Sequence, residues 1–449
     1  MHRLVRKHMF VPVLALAAVA HANEPVASGP LASYVAQADD SFRWFERRAG
    51  TRGQTSYAEL ILTSQTWRDV AWKHQLFIVR PTSAKPQTKH ALLVIAGGSW
   101  KDELEAPAGP IDLPREANVF AAIAEQLQTP VAVLLHVPHQ PMFDGRREDQ
   151  IIALTFDEFL KTGDPQWLLL LPMVKSAVRG LDAVQEYARQ RWDMKLDTFT
   201  VCGASKRGWT TWLTGAVDRR VTAIAPMVID MLKMGNHLKH QVHAWGEISH
   251  KIHDYTDRNL HDRLDSDRGR ALQQIVDPWS YRHLIKQPKL IMIGTNDDYW
   301  PLDSLNLYWD DLVGPKYILY VANQGHGLRD LQRVVGTLNA LHQHAARGNP
   351  LPKLEWDFTT NDRVLTLHVT SDVRPQKVQA WRAHTPTRDF RAAKWSAKPL
   401  RSTDGHYHYE MPIPRDGHAA LYGEAVYDGG SFPCFLSTNV RIVGEPVSE

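Results

Sequence analysis

An α/β fold built on a mostly parallel sheet, with an all-β region after it, is what this sequence predicts. Three observations predict it. Up to about residue 347, short apolar runs alternate with segments of helical spacing, the pattern of strands joined by right-handed helical crossovers. One run ends in Gly203-Ala204-Ser205-Lys206-Arg207-Gly208 and is followed by Trp209, Leu213 and Ala216 at helical spacing. That reads as strand, sharp turn and helix. Beyond Arg347-Gly348-Asn349-Pro350 the pattern changes to period two, punctuated by Pro, Gly and Asp.

The first 22 residues read as a processing signal. His2, Arg3, Arg6 and Lys7 form a basic head, residues 9–20 are apolar but too short to span a bilayer, and Ala20-His21-Ala22 is an A-x-A cleavage site. The expected mature protein starts at Asn23, is exported to a periplasm or out of the cell, and has no stable membrane insertion. Residues 25–53 carry no readable element. Eight strands follow, at 57–63, 72–79, 91–96, 131–135, the run into Gly203, 221–227, 289–293 and 317–321. Their continuous apolar character suits a sheet covered on both faces. Helices are expected around Ala117 to Leu127, from Pro172 through Ala188, after Ser205, and around Leu331 to Leu341. A polar, histidine-rich insertion at about 232–286 reads as a helical cap over the sheet. An opening strand pair, then alternation, with the serine turn after the fifth strand, is the order of an α/β hydrolase. The domain expected at 23–348 is followed at 352–449 by strands at 364–369, 377–382, 406–411, 419–427 and 436–442, a β-sandwich of immunoglobulin or fibronectin type.

A 449-residue chain that is 43% hydrophobic and 22% charged has the composition of a globular protein. Its net charge of +3 is spread without a basic stripe, so nucleic acid is not an expected partner. Cys202 and Cys434 fall in different expected domains, and pairing between them is not expected.

Ser205 is the candidate nucleophile. The turn holds its hydroxyl clear of the sheet edge, at a helix N-terminus whose free amides favour developing negative charge. The alternative is that Ser205 merely caps the helix. Arg207 stands where the common Gly-x-Ser-x-Gly elbow has its second glycine, and needs room beside the neighbouring strand. A serine needs a base, and the base a carboxylate. Asp297 follows the seventh expected strand and His326 the eighth, in the order this fold uses, with Asp298 and Asp230 as alternative acids. The expected oxyanion donors are the amide of Lys206 and one from Gly97-Gly98-Ser99-Trp100, with Ser99 or Trp100 ahead of Gly98. Trp100, Trp209 and Trp300 are candidate pocket walls. His237, His240, His243, His250 and His253 are spaced as a metal site could be, but they lack a His-Glu-x-x-His pattern and spacing by three drifts around a helix. No metal or cofactor is expected.

The residues Leu62-Thr63-Ser64-Gln65-Thr66-Trp67, Trp72-Lys73-His74, Pro172-Met173-Val174-Lys175-Ser176, the turn at 203–209, Asp230, Asp277-Pro278, Pro288-Lys289 and the loop at His326 together resemble the PhoPQ-activated pathogenicity-related proteins. The resemblance covers essentially the whole mature chain, and departs at His139-Gln140-Pro141, where Asn is expected before Gln-Pro. It implies an α/β-hydrolase fold with its serine elbow at Ser205, export and, in bacteria, a link to virulence or envelope stress. The turn is also similar to the Gly-x-Ser-Arg-x-Gly turn of glucuronoyl esterases, which points to esters. The resulting expectation is a serine hydrolase acting on a small-molecule or polymer-borne ester, less readily an amide. The alternative is a non-catalytic signalling or binding protein on the same fold.

Overall fold

Residues 28–445, apart from 86, 107–114 and 431, are described by the computed structural model. The expected signal segment lies outside the described residues. Nine strands form the large sheet: β1 (Arg43–Arg52), β2 (Thr55–Trp67), β3 (Val70–Pro81), β4 (His90–Ile95), β5 (Val131–Leu134), β6 (Thr198–Ala204), β7 (Val221–Met227), β8 (Lys289–Gly294) and β9 (Lys316–Val321). Their spatial order is β1-β2-β3-β5-β4-β6-β7-β8-β9. The first three strands are antiparallel to their neighbours, and β4 to β9 run parallel. This is the α/β-hydrolase arrangement, with one strand more than the eight expected.

The added strand is β1, and its chemistry explains why periodicity does not reveal it. Among the described residues it pairs with β2 only, and its sequence, RWFERRAGTR, is dominated by charge. Charged residues on an edge strand discourage pairing with another chain. Two of these charges also turn inward: Arg47 and Arg48 both pair with Glu59 of β2, whose side chain is fully buried.

Helices cover both faces. Along β4, Leu92 packs into one apolar cluster with Leu127 and Leu341, while Leu93 packs into the other with Leu181 and Trp212. In chain order the helices are α1 (Pro30–Ala36), α2 (Arg115–Leu127), α3 (Asp149–Thr162), α4 (Leu170–Trp192), α5 (Lys206–Val217), α6 (Met234–Trp245), α7 (His253–Thr256), α8 (Leu260–Arg263), α9 (Asp267–Val276) and α10 (Leu331–Arg347). The cap is α6 to α9, inserted between β7 and β8. No helix among the described residues is long and apolar enough to cross a membrane.

The C-terminal region is antiparallel β. β10 (Leu354–Thr360), β11 (Val364–Ser371) and β14 (Tyr407–Pro412) form one sheet. β12 (Lys377–Thr385), β13 (Ser396–Pro399), β15 (Gly417–Tyr427), β16 (Cys434–Ser437) and β17 (Arg441–Glu445) form the other. The strand expected at 436–442 is split, because Thr438 turns its backbone amide to Gly423 and its hydroxyl to Asn439 before β17 begins. This region is not simply tethered. Ser437 accepts a hydrogen bond from the Tyr320 amide at 3.0 Å, and Trp395 and Tyr422 belong to the same apolar cluster as the hydrolase core. Both cysteines are free and buried.

Candidate active site

The turn between β6 and α5 holds Ser205 at φ 57°, ψ −128°, a sparsely populated conformation that neighbouring structure must enforce. The Ser205 amide donates to the Met227 carbonyl at 2.9 Å, while its hydroxyl makes no capping bond to the helix. Crowding explains the glycines. A Cβ at Gly203 would lie 2.7 Å from the Arg207 carbonyl oxygen, and one at Gly208 would lie 2.9 Å from the Met227 carbonyl oxygen. Arg207 finds its room over Gly97, where a Cβ would come within 2.6 Å of the guanidinium. From there it donates to the Val137 carbonyl at 2.5 Å and to both oxygens of Glu148, at 2.7 and 2.8 Å. The second glycine of the common elbow is thus replaced by an arginine and a glycine on the neighbouring loop.

At the ends of β8 and β9 the structure brings Asp297 and His326 together. His326 Nδ1 lies 2.9 Å from Asp297 Oδ2 and 3.1 Å from Oδ1, and the Tyr299 amide donates to Oδ1 at 2.8 Å. The Asp297 carboxylate is almost fully buried, and the Tyr299 ring stacks on the imidazole at 4.1 Å. His326 Nε2 is buried and has no hydrogen-bond partner among the described residues. Ser205 and His326 are not joined by a hydrogen bond.

The alternative acids have other occupations. Asp298 faces Lys251 of the cap at 3.1 Å. Asp230 is fully buried and accepts from the Tyr308 hydroxyl at 2.8 Å; burial pushes its carboxyl up to about 8, against that hydrogen bond and with the help of the Asp297 and Asp303 charges. It therefore holds its proton through neutral pH, unlike the orienting carboxylate of a triad.

On the oxyanion side, the Lys206 amide is the first of α5, among the orphan donors of a helix start. The Trp100 amide is already committed to the Gln140 carbonyl at 3.0 Å, which removes it as the expected second donor. The Gln140 side chain also donates to the Gly98 carbonyl at 2.9 Å, and Arg147 donates to the Ser99 hydroxyl. The amides of Gly98 and Ser99 make no hydrogen bond among the described residues. The Lys206 ammonium sits between Glu148 at 2.9 Å and Asp149 at 3.1 Å. Although burial opposes ionisation of Glu148, the hydrogen bonds and charges of Arg207 and then Lys206 hold its carboxyl at about 2.

Trp209 and Trp300 line a cavity that reaches Ser205 beneath the cap; Trp100 stands outside it, against His136 and His139. The cap histidines are dispersed. His240 pairs with Asp303 at 2.7 Å, His253 bonds the His250 carbonyl, and no group of three or more metal-type ligands converges among the described residues.

Comparison with known proteins adds the family. The model of the PhoPQ-activated pathogenicity-related proteins matches residues 31–391. This chain belongs to that family. Autocrine proliferation repressor protein A of Dictyostelium discoideum is 32% identical to it over 436 residues, covering 89% of this chain and 86% of that protein. Among solved structures, acetyl xylan esterase 1 from Thermoanaerobacterium sp. JW/SL YS485 is similar over 69% of this chain and 91% of its own, at 14% identity and a TM-score of 0.47. The acetyl xylan esterase from Paenibacillus sp. R4 is similar over 66% and 86%, at 15% identity and a TM-score of 0.46.

In this PhoPQ-related chain, the sequence reading missed the residues that hold the acid and histidine loops. Asn296, next to Asp297, donates its amide to the carbonyls of Ala393 at 2.7 Å, Arg391 at 3.2 Å and Phe390 at 3.3 Å. Asn323, three residues before His326, exchanges hydrogen bonds with the Trp395 backbone at 2.8 and 3.1 Å. Arg388 pairs with Asp303 at 2.5 Å, the same carboxylate that holds His240 of the cap. One segment, 388–395, thus braces both loops. Asparagine beside a strand end is an ordinary turn signal, and nothing in the sequence says that its partner lies nearly a hundred residues on.

Proposed function

We propose that this PhoPQ-related protein is an exported serine hydrolase that cleaves an ester, less readily an amide, through an acyl-enzyme. One observation carries the reading. A buried carboxylate fixes His326 through Nδ1 and leaves Nε2 unpartnered, on the sheet edge where a strained elbow presents a serine whose hydroxyl caps nothing.

In this reading His326 Nε2 takes the Ser205 proton as Oγ attacks the carbonyl carbon, while Asp297 keeps the imidazole in the productive tautomer and stabilises its cationic form. The developing oxyanion meets the Lys206 amide and an amide from Gly98 or Ser99. His326 then protonates the leaving alcohol, and water repeats the sequence to release the acid. Hydrogen bonds of this kind are often long in the unliganded enzyme and tighten on binding. The substrate is a small or polymer-borne ester.

Fluorophosphonate labelling tests the proposal. Modification at Ser205 is expected in the intact protein, abolished by Ser205→Ala and suppressed by His326→Ala. A folded protein that takes no label would be a binding or signalling protein instead.

A further inference from the structure

The cavity beneath the cap runs from Ser205 between α5 and the helices α6 to α9, and its wall is overwhelmingly apolar. Phe156, Trp209, Ile229, Met231, Leu264 and Leu272 contribute most of its character. Among its polar members, Lys206, Asp149 and Tyr255 are satisfied by one another: the ammonium pairs with Asp149 at 3.1 Å, and the Tyr255 hydroxyl donates to the same carboxylate at 2.9 Å. Thr256 bonds the His253 carbonyl. His261 is partly exposed with Nε2 near Asp262, while its Nδ1 is buried and has no hydrogen-bond partner among the described residues.

His237 goes further than His261, with both ring nitrogens unpaired among the described residues. It is 1% exposed, its ring meets Trp300 edge-on at 5.0 Å, and neither ring nitrogen has a hydrogen-bond partner among the described residues. Burial, and then the neighbouring His240, push its pKa down to about 3, so the ring is neutral and offers one donor and one acceptor. A buried polar group of this kind is costly unless something pairs with it.

Size and placement decide what enters. The cavity has an accessible volume of about 90 Å³, less than the ~150 Å³ that takes up a benzene ring, and at ~30 Å³ for each water-sized group it has room for about three. His326 does not line this cavity, whereas Tyr299, stacked on the His326 ring, does. The leaving alcohol must receive its proton from His326, so it departs on the other side of Tyr299. The cavity takes the other substituent of the carbonyl carbon.

We infer that this cavity is the acyl pocket, and that the acyl group it accepts is a short apolar chain carrying one neutral oxygen or nitrogen that pairs with His237. The inference rests on Ser205 being the nucleophile. It excludes acetate and sugar acids as the preferred acyl groups, since an acetyl leaves the apolar wall uncovered and a polyhydroxylated acid would strand its hydroxyls against it.

The test is a series of p-nitrophenyl esters with straight acyl chains from acetate to palmitate, together with short chains bearing a single ketone or hydroxyl. The value of kcat/KM is expected to rise about fourfold per methylene, to peak between butyrate and pentanoate, and to fall by palmitate. An oxygenated chain should exceed its plain counterpart by about five- to tenfold, and His237→Phe should erase that preference. Leu238→Trp, which fills the cavity from the less buried side of α6, should move the optimum to shorter chains. An acetate optimum or a flat profile, with Ser205 still labelled by fluorophosphonate, would overturn the acyl pocket and leave the hydrolase reading standing. Equal rates for plain and oxygenated chains in the wild type would overturn the role of His237. No hydrolysis of any ester and no label on Ser205 would overturn both the pocket and the reading beneath it.

Discussion

Truncating Asn296 to alanine removes an amide that holds three carbonyls of segment 388–395 beside the candidate acid. The bond to Ala393 at 2.7 Å is good, and those to Arg391 and Phe390, at 3.2 and 3.3 Å, share what remains of the two N–H donors. Leaving buried acceptors unpaired costs about 1–3 kcal/mol, which a domain with ~5–15 kcal/mol of stability survives. The consequence for turnover should be larger in proportion. Asp297 follows Asn296 directly, and a displacement of about 1 Å in a reacting constellation costs about 100-fold. Asn296→Ala should therefore fold, melt a few degrees lower, and lose about 10- to 100-fold in kcat toward a p-nitrophenyl ester with KM little changed. Asn323→Ala, which frees the His326 loop from Trp395, should behave alike. A variant that melts lower but turns over within twofold of wild type would refute the reasoning and leave segment 388–395 a mere brace.

Four further outcomes follow from the site. Asp297→Asn should lower kcat by about 10⁴-fold with the fold intact, whereas Asp230→Asn, replacing a carboxyl already protonated at neutral pH, should stay within about threefold; the reverse result would move the acid to Asp230. The same Asp230 sets a sign for stability. Its carboxyl ionises at an ordinary 3.8 when unfolded and near 8 when folded, so the unfolded chain releases the proton first and stability falls as pH rises between those values, a slope that Asp230→Asn should flatten in urea titrations. Glu148 has the opposite sign: held at about 2 against an ordinary 4.5, it contributes stability above 4.5 that is lost as pH falls toward 2. Arg207→Gln should remove that contribution and raise the midpoint of acid unfolding. Gly97→Ala, which drives a methyl into the Arg207 guanidinium, should destabilise by about 1–3 kcal/mol, read as a lower urea midpoint.

What periodicity reveals here is burial against a neighbour. β4, β6, β7, β8 and β9 are apolar on both sides because helices cover both faces, and each is legible as a strand from its residues alone. β1 is illegible for the converse reason: its contribution is charge, delivered to Glu59 at an edge. The positions of the serine turn, Asp297 and His326 at strand ends are legible because the fold fixes where those ends emerge. That the Trp100 amide is taken is not legible, since its partner, the Gln140 carbonyl, lies forty residues away.

The same distinction bears on the C-terminal sheets. Their period-two pattern reads as a self-sufficient sandwich, and a sandwich appended by a linker would be expected to brace or to bind. Yet Trp395 and Tyr422 are buried in the hydrolase core, and the backbone of 388–395 satisfies the asparagines beside both candidate catalytic loops. Hydrogen bonds to main-chain carbonyls leave no trace in composition, because any residue supplies a carbonyl. The family match, which ends at 391, includes the start of this segment. A chain cut at the apparent linker near 348 would therefore expose Tyr320 and the apolar side of α10, and would release Asn296 and Asn323 together. Such a fragment should show neither fluorophosphonate labelling nor a cooperative melt, whereas a labelled, stable fragment would show that the hydrolase half assembles its own loops.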